Sequence, residues 1–241
     1  MGFFSKTKYK IDKERLPKCV AFIIDGNGRW ATKKSMPRMI GHKAGIEAVK
    51  TTITEAQNIG IKELIFFCFS TENWNRPKPE VDGLFALFRE YLNNGFEQFL
   101  KSGCKFKLCG ERDGLPDDVR KKAEQLEMQT INSNKMTVCF CINYGGRSDI
   151  LQAVNKCLAT GKQSVTEDEF KTYLHTNGIS DPDLIVRTSG EQRISNFLLY
   201  QMAYSEFYFT KCYWPDFDKK EFLKAIYDFQ QRNRRFGAIK E

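Results

Sequence analysis

The chain has 241 residues, of which 41% are hydrophobic and 28% are charged, a balance that excludes a disordered or fibrous protein. The 38 basic and 30 acidic residues give a net charge of +8, which favours an anionic partner: a diphosphate, a nucleic acid or an acidic lipid surface. No apolar stretch approaches the roughly 20 residues of a membrane-spanning helix and the basic start lacks a signal-peptide pattern, so we expect a cytoplasmic protein, at most peripheral at the inner face of the membrane.

The eight cysteines are interpreted as reduced, buried thiols because most of them lie inside apolar runs. A zinc site would need paired CxxC units with histidines at ligand spacing. Cys139 and Cys141 form only a CxC pair within a strand-like run, so the pattern does not favour a metal-thiolate site.

The first half of the chain alternates short apolar runs with helical patterns. Residues 20–24 read as a buried strand that ends in turn residues, and 64–69 read as a second strand. Helical spacing covers 45–58, with Gly60 as its stop, and a polar loop over 70–79 leads into a long helix over 80–100.

The second half continues the alternation. The predicted strands are 104–109, 136–142, 184–186 and 206–209, and the predicted helices are 116–132, 147–159 (or from 148), 166–175 and 219–230. Strands alternating with helices predict a single α/β domain over 1–241, with a central, mostly parallel sheet flanked by helices, a basic lead over 1–16 and a basic tail over 232–241. Because ligands sit beyond the carboxyl ends of such strands, we expect four strand-end residues to meet at one edge: Asp25, Ser70, Asn143 and Arg187.

The segment 25–30 follows the first strand and combines a carboxylate, two glycines and an arginine. Glycines allow backbone N–H groups to approach phosphate oxygens, Arg29 can clamp those oxygens, and Asp25 can hold a magnesium ion against them. A tight turn capped by Asp25 explains the spacing equally well.

Two further segments carry residues suited to anions. His42 lies between Arg38 and Lys43, although a lone histidine is more often structural than functional. Arg187 and Arg193 flank a turn of small residues, which suits a diphosphate better than a surface salt bridge.

The polar loop 70–77 holds a tryptophan and an arginine among small hydrogen-bonding side chains. The π system of Trp74 could attract a positive charge, or the ring could simply pack. The basic run 232–237 is typical of a solvated end or a nonspecific anion binder.

Several blocks together resemble the cis-prenyltransferase family of the undecaprenyl diphosphate synthase type, in both order and spacing. The resemblance spans 17–237, and the blocks that carry it are 25–31, 41–45, 69–77, 143–147, 187–196, 214–217 and 234–237. It implies a homodimeric α/β domain with a hydrophobic tunnel between sheet and helices, which agrees with the predicted element order.

The resemblance also implies roles for individual residues. Asp25 and Asn73 would be catalytic, and Asp25 and Glu206 would hold Mg²⁺. The allylic substrate would be bound by Gly26, Asn27, Gly28, Arg29, Trp30, Arg38, His42, Ser70, Thr71, Glu72, Trp74 and Arg76. Isopentenyl diphosphate would be bound by Arg187, Arg193, Ser195, Arg235 and Gly237, the last two reaching the partner subunit's site.

The implied activity is elongation of farnesyl diphosphate with isopentenyl diphosphate to undecaprenyl diphosphate, the lipid carrier for cell-wall glycan synthesis. The growing chain would enter the tunnel, whose floor would limit its length. Candidate lining residues are Cys68, Leu84, Leu87, Phe88, Leu92 and Val138.

Three alternatives compete with this interpretation. A synthase with a shorter or a longer, dolichol-type product would share the same motifs. A noncatalytic partner subunit would be expected to lack the metal carboxylate and the loop arginines, whereas Asp25, Arg29 and Arg76 are present. A nucleic-acid binder would spread basic and aromatic residues over an open face, whereas here they cluster in strand-end loops, so we expect no nucleic-acid partner.

Overall fold

The computed structural model of the chain describes residues 9–235 and 237, apart from the side chains of Asn94, Phe96 and Gln98. The strands are β1 (Cys19–Ile23), β2 (Glu63–Ser70), β3 (Cys104–Cys109), β4 (Met136–Tyr144), β5 (Leu184–Arg187) and β6 (Glu206–Phe209). The helices are α1 (Asn27–Lys33), α2 (Arg38–Ile59), α3 (Lys78–Asn94), α4 (Phe96–Ser102), α5 (Asp117–Thr130), α6 (Gly146–Ala159), α7 (Glu167–Tyr173) and α8 (Lys219–Gln230). Residues 1–8 of the predicted N-terminal lead lie outside the described residues. So do residues 236 and 238–241 of the predicted C-terminal tail.

The six strands form one sheet in the order β3-β4-β2-β1-β5-β6, and every neighbouring pair is parallel. The predicted mostly parallel sheet is therefore confirmed. Helical crossovers place every strand in the same direction, so all carboxyl ends lie at one edge.

One face of the sheet carries a row of phenyl rings across three neighbouring strands. The rings of Phe22 and Phe66 stack with centroids 5.1 Å apart, and Phe66 stacks on Phe140 at 5.7 Å. Phe106 on the edge strand continues the row, 5.4 Å from Phe140. This face packs against α2, α3, α5 and α8 to form the larger core.

The opposite face forms a second, smaller core. Ile23, Phe67 and Cys141 point to this side and pack with Phe197 and Leu198 of the loop after β5. Consecutive strand residues alternate between the two faces, so the central strand β1 is buried on both sides and reads as a continuous apolar run.

Three features of the helices differ from the predictions. The turn-rich segment after β1 contains helix α1, and α2 begins at Arg38 rather than at residue 45. The predicted helix over 80–100 is interrupted at Gly95 between α3 and α4, where a glycine weakens helix continuation. Turns and helix N-termini favour the same residue types, so local composition could not locate the starts of α1 and α2.

Candidate active site

A polar pocket with about 980 Å³ of empty space opens at the carboxyl edge of the sheet. It is lined by ends of β1, β2 and β5 and by the first turns of α1 and α2. Thirteen of the sequence-predicted site residues line it: Asp25, Gly26, Asn27, Gly28, Arg29, Arg38, His42, Ser70, Asn73, Arg76, Arg187, Arg193 and Ser195.

Asp25 occupies the middle of this pocket between two arginines. Its carboxylate lies 3.0 Å from Nη2 of Arg187 and 3.0 Å from Nη2 of Arg29. Burial raises the pKa of Asp25, but hydrogen bonds from Arg187 and Arg29 outweigh burial and hold the pKa below its ordinary value. The carboxylate is therefore charged at neutral pH and available to a hard cation.

Arg187 ends β5 and is almost completely buried, with 3% of its surface exposed. Its Nη1 donates to Oγ of Ser195 at 2.8 Å and also contacts the carbonyl of Arg193. Its Nε is a buried donor without a partner among the described residues. A buried guanidinium with a spare donor is suited to an anion entering the pocket.

The glycines after Asp25 keep the pocket floor open. Gly26 has φ +102°, and a Cβ there would come within 2.7 Å of the Tyr213 ring and 2.9 Å of Ser189. A Cβ on Gly28 would lie 2.7 Å from the guanidinium carbon of Arg38. The positive φ and the close approach to Tyr213 and Ser189 require glycine at position 26, whereas the atoms near Gly28 belong to the flexible end of Arg38, which can shift.

Two glutamates hold the exposed arginines of the pocket. Glu191 accepts from Arg29 at 2.7 Å and from Arg193 at 2.5 Å. Glu80 is shared between Arg38, at 3.3 Å, and Arg76, at 3.2 Å. Sequence reasoning missed both glutamates, although Glu80 follows Arg76 at the i,i+4 spacing that pairs charges on a helix.

His42 lies at the inner end of the polar pocket. Burial and the neighbouring charges of Arg76 and Arg38 lower the pKa of His42 to about 4, although Glu80 acts in the opposite direction. Its Nε2 is buried and has no hydrogen-bond partner among the described residues. The imidazole is therefore neutral at pH 7 and can hydrogen-bond a ligand without carrying charge.

Ser70 and Asn73 are fixed by a reciprocal capping arrangement around the 3-10 helix Thr71–Asn75. The Asn73 side chain accepts from the backbone N–H of Ser70 at 3.2 Å. The same turn leaves both side chains lining the pocket.

Four of the residues predicted to bind the allylic substrate do not line the pocket. Trp30 donates from Nε1 to Asp216 at 2.7 Å and lies under the ammonium of Lys34. Thr71 donates to Glu72 at 3.3 Å, and Glu72 accepts from Asn196 at 2.7 Å. A role of these three residues in binding the allylic substrate stays a prediction, because spacing alone does not tell which side of a turn faces the ligand.

Trp74 is the fourth predicted substrate-binding residue that does not line the pocket. Its ring stacks on Phe85 with centroids 5.2 Å apart and meets Phe69 edge-on at 5.0 Å. Its Nε1 donates to Oδ1 of Asn143 at 2.8 Å. Trp74 therefore packs the loop onto the body of the domain, which is the ordinary-packing alternative for this ring.

Glu206 lies at the opposite end of the sheet from Asp25. It begins β6 and pairs with Leu184, three residues before Arg187, which corresponds to about 10 Å along a strand. Its carboxylate forms an ion pair with Arg232 at 2.8 Å. One copy of the chain therefore does not bring Asp25 and Glu206 to the same metal ion, and the assignment of Glu206 as a ligand requires a second copy.

Arg235 and Gly237 are exposed residues after α8 and do not line the pocket. Within the described residues, no three His, Cys, Asp or Glu side chains lie close enough together to form a metal site by themselves. No helix in that same part of the chain is long and apolar enough to cross a bilayer.

An apolar cavity with about 830 Å³ of empty space adjoins the polar pocket on the larger core face. Both cavities are lined by the residues Ile24, Asn27, His42, Cys68 and Leu84. From there the apolar cavity extends between the sheet and helices α2, α3 and α5, lined by residues including Leu87, Phe88, Tyr91, Leu92, Phe106, Leu108 and Ala123. Val138, predicted to line it, is fully buried and does not.

The sequence is similar to known prenyl-chain enzymes over nearly its whole length. A prenyltransferase family model, described as undecaprenyl diphosphate synthase, matches residues 23–237. Isoprenyl transferases of Fusobacterium nucleatum and Prochlorococcus marinus are 46% and 47% identical over 95% of this chain, which corresponds to 99% and 87% of those proteins.

Two solved structures share the fold. Lavandulyl diphosphate synthase from Lavandula x intermedia, in complex with dimethylallyl diphosphate, superposes with a TM-score of 0.90 at 33% identity, covering 93% of this chain and 99% of that one. A Campylobacter jejuni protein described as an undecaprenyl diphosphate synthase gives a TM-score of 0.79 at 31% identity, covering 92% and 98%.

Proposed function

The chain belongs to the undecaprenyl diphosphate synthase family of prenyltransferases, and from that premise we propose that it elongates farnesyl diphosphate by successive cis condensation with isopentenyl diphosphate to give undecaprenyl diphosphate. The observation that carries the proposal is Asp25 held between Arg29 and Arg187 in a cationic pocket that opens directly into an apolar cavity. Such a pair of adjoining cavities suits a substrate with an anionic head and a long apolar tail.

The arginines divide into two groups around Asp25, and each group suits one diphosphate. Arg38 and Arg76, which share Glu80, would bind the allylic diphosphate together with neutral His42, which also lines the apolar cavity. Arg29 would contact the same diphosphate from beside Asp25, where Glu191 holds it next to Arg193. Arg187 and Arg193, with the hydroxyl of Ser195, lie on the β5 side and would bind isopentenyl diphosphate. The two subsites then bring the reacting carbons together over Asp25.

The reaction begins when the allylic C–O bond breaks and leaves a carbocation and a diphosphate. Arg29, Arg38 and the backbone around Gly26 and Gly28 stabilise the negative charge on the leaving group. The double bond of isopentenyl diphosphate attacks the cation, and loss of a proton completes one cycle. Asn73, fixed by Ser70, would orient the reacting ends.

Asp25 also has the chemistry of a magnesium ligand. It is a charged, hard oxygen donor facing the pocket, and Mg²⁺ in proteins is commonly held by one or two carboxylates together with substrate phosphates. When bound, Mg²⁺ would neutralise diphosphate charge and so make the diphosphate a better leaving group. The low pKa of Asp25 keeps this donor deprotonated throughout the neutral range.

The apolar cavity would exclude water from the cation and receive the growing chain as a tunnel. Its near end is shared with the polar pocket, whereas Phe106, Leu108 and Ala123 lie toward edge strand β3 and α5. These residues would form the floor that sets product length. A synthase with a shorter or a dolichol-type product would differ mainly in this floor.

A homodimer would complete the site. Leu151, Val154 and Leu158 form an exposed apolar stripe along α6, spaced three and four residues apart as in paired helices. An exposed stripe of this kind is typical of a surface that packs against another subunit. Glu206 and Arg235, which do not line the pocket of their own chain, would then be the residues contributed to the partner's pocket. Peripheral contact with the cytoplasmic membrane face would deliver the lipid product.

The function is tested by incubating the purified protein with Mg²⁺, farnesyl diphosphate and labelled isopentenyl diphosphate, and sizing the products by chromatography. We expect a ladder of extended chains that ends at the undecaprenyl length. A ladder ending elsewhere would correct the product, and the absence of any extended chain would refute the function. A dimethylallyl or geranyl starter in a parallel assay identifies the preferred allylic substrate.

A further inference from the structure

We propose that Glu72 is a positioning residue for the isopentenyl diphosphate subsite, acting through Asn196. This inference rests on the proposed function. Glu72 belongs to the 3-10 helix that follows Ser70 and contains Asn73, whereas Asn196 directly follows Ser195 in the loop after β5. The contact between them joins the loops of the two subsites.

Asn196 makes three hydrogen bonds that fix its loop. Its side chain donates from Nδ2 to Oε1 of Glu72 at 2.7 Å, and its Oδ1 accepts from the backbone N–H of Arg147 at 2.9 Å. Its carbonyl accepts from the N–H of Gly146 at 2.6 Å. Two of these bonds anchor Asn196 to the start of α6, and the bond to Glu72 alone reaches the 3-10 helix.

The loop needs this support because its backbone is strained. Ser195, Asn196 and Leu198 have φ of 53°, 61° and 46°, in the left-handed region that side chains with a Cβ disfavour. Such a conformation persists only where the surrounding contacts hold it in place. Loss of the Glu72 contact therefore gives Ser195 freedom to move.

Movement of Ser195 would reach the anion subsite directly. The Ser195 hydroxyl accepts from Nη1 of Arg187 at 2.8 Å, and Arg187 in turn pairs with Asp25. The contacts thus run without interruption from Glu72 to Asp25 through Asn196, Ser195 and Arg187. A carboxylate outside the pocket thereby orients the guanidinium inside it.

The charge state of Glu72 supports this role. Burial raises its pKa, but the hydrogen bond from Asn196, together with its own backbone, Ser70 and Thr71, lowers the pKa below the ordinary value. Among the described residues, Glu72 forms no ion pair with a Lys or Arg side chain. Its negative charge is therefore used in the bond to the Asn196 amide, and a charged acceptor makes that bond stronger than a neutral one.

The test exchanges the donor and the acceptor of the hydrogen bond between Asn196 and Glu72. Asn196→Asp keeps the acceptor for Arg147 N–H but places a carboxylate against Glu72, so the two side chains repel. The double variant Glu72→Gln with Asn196→Asp restores the bond, because the glutamine amide now donates to the new carboxylate. Glu97→Gln, at an exposed position of α4, is the matched control.

We expect Asn196→Asp to weaken binding of isopentenyl diphosphate about tenfold, measured by calorimetry with Mg²⁺ and no allylic substrate. KM for isopentenyl diphosphate should rise by the same factor while KM for farnesyl diphosphate stays within about twofold. The double variant should recover to within about threefold of wild type, and Glu97→Gln should match wild type. A merely structural bond would not produce this substrate-selective change and its rescue.

Equal affinity for isopentenyl diphosphate in all variants, or a double variant as weak as the single one, would overturn the inference. The binding measurement does not depend on turnover. If the wild-type protein binds isopentenyl diphosphate with the expected variant pattern but forms no extended chains, the proposed function fails and the positioning role stands. If the wild-type protein binds no isopentenyl diphosphate, both are refuted.

Discussion

Arg187 and Asp25 lie 162 positions apart in the sequence, yet Nη2 of the arginine is 3.0 Å from Oδ2 of the aspartate. They meet because β5 pairs in parallel with β1: Arg187, the last residue of β5, lies opposite Ile23, and Asp25 follows Ile23 by two residues. The pair couples the two proposed diphosphate subsites.

The Asp25–Arg187 pair predicts the effect of Asp25→Asn. We expect turnover to fall on the order of 100-fold or more, because the amide offers no charge for Mg²⁺ or for the arginines. The free energy of unfolding should fall by about 1 to 3 kcal/mol, since buried Arg187 loses a charged partner. Steady-state kinetics and urea unfolding measure the two effects.

Asp82→Asn serves as the control for this substitution, because Asp82 is an exposed carboxylate of α3 that pairs only with Lys78 in the described structure. Asp82→Asn should leave turnover and the free energy of unfolding close to the wild-type values. Turnover of Asp25→Asn at the wild-type rate would contradict the assignment of Asp25.

The neutral state of His42 predicts a pH-dependent stability. Burial lowers its folded pKa to about 4, below the ordinary value of 6.5, so between these values the unfolded chain binds the extra proton. This contribution therefore favours folding above pH 6.5 and is lost as the pH falls toward 4. Urea unfolding should show that wild type loses about 2 kcal/mol more than His42→Gln between pH 7 and pH 5. Identical pH dependence in the two proteins would show that His42 titrates normally.

The floor of the apolar cavity predicts product length in both directions. Ala123→Leu should shorten the longest product by at least one isoprene unit, because the added carbons occupy the far end of the cavity. Leu108→Ala removes side-chain atoms from the lining at the same end, which enlarges the cavity and should lengthen the longest product. The two substitutions control for each other, and chromatography of the labelled products measures both. Unchanged length in both variants would place the floor elsewhere.

The exposed stripe of α6 predicts how the chain associates. Leu151→Glu combined with Leu158→Glu should convert a dimer into a monomer, since charges would enter an apolar contact. Light scattering during size-exclusion chromatography measures the mass. Leu158 and Leu151 are 66% and 64% exposed, so the monomer itself should remain folded. A monomeric wild type, or a dimeric variant, would remove this surface from the proposal.

Much of the candidate site could be predicted because it sits at strand ends. Apolar runs bounded by turn residues located β1, β2 and β5, and parallel strands bring the residues that follow them together. Four residues were therefore placed at one edge from the sequence: Asp25, Ser70, Asn143 and Arg187. Three of them line the pocket, whereas Asn143 accepts a hydrogen bond from Trp74 and does not line it.

Side-chain direction could not be predicted in the same way. Asn73 and Glu72 are adjacent in one 3-10 helix, yet Asn73 lines the pocket and Glu72 contacts Asn196. Trp74 faces Phe85 and Phe69 rather than the pocket. A tight turn distributes neighbouring side chains to different sides, and sequence spacing does not state which side meets the rest of the fold.

The sequence by itself determined the six strands, their alternation with helices, the parallel sheet and the edge at which most of the motifs converge, because periodicity and turn residues are local properties of the chain. Only the tertiary structure decided that Glu80 and Glu191 hold the arginines in pairs and that Glu206 lies at the other end of the sheet from Asp25. These relationships depend on strand register and on contacts between distant segments, and packing of the whole domain fixes both.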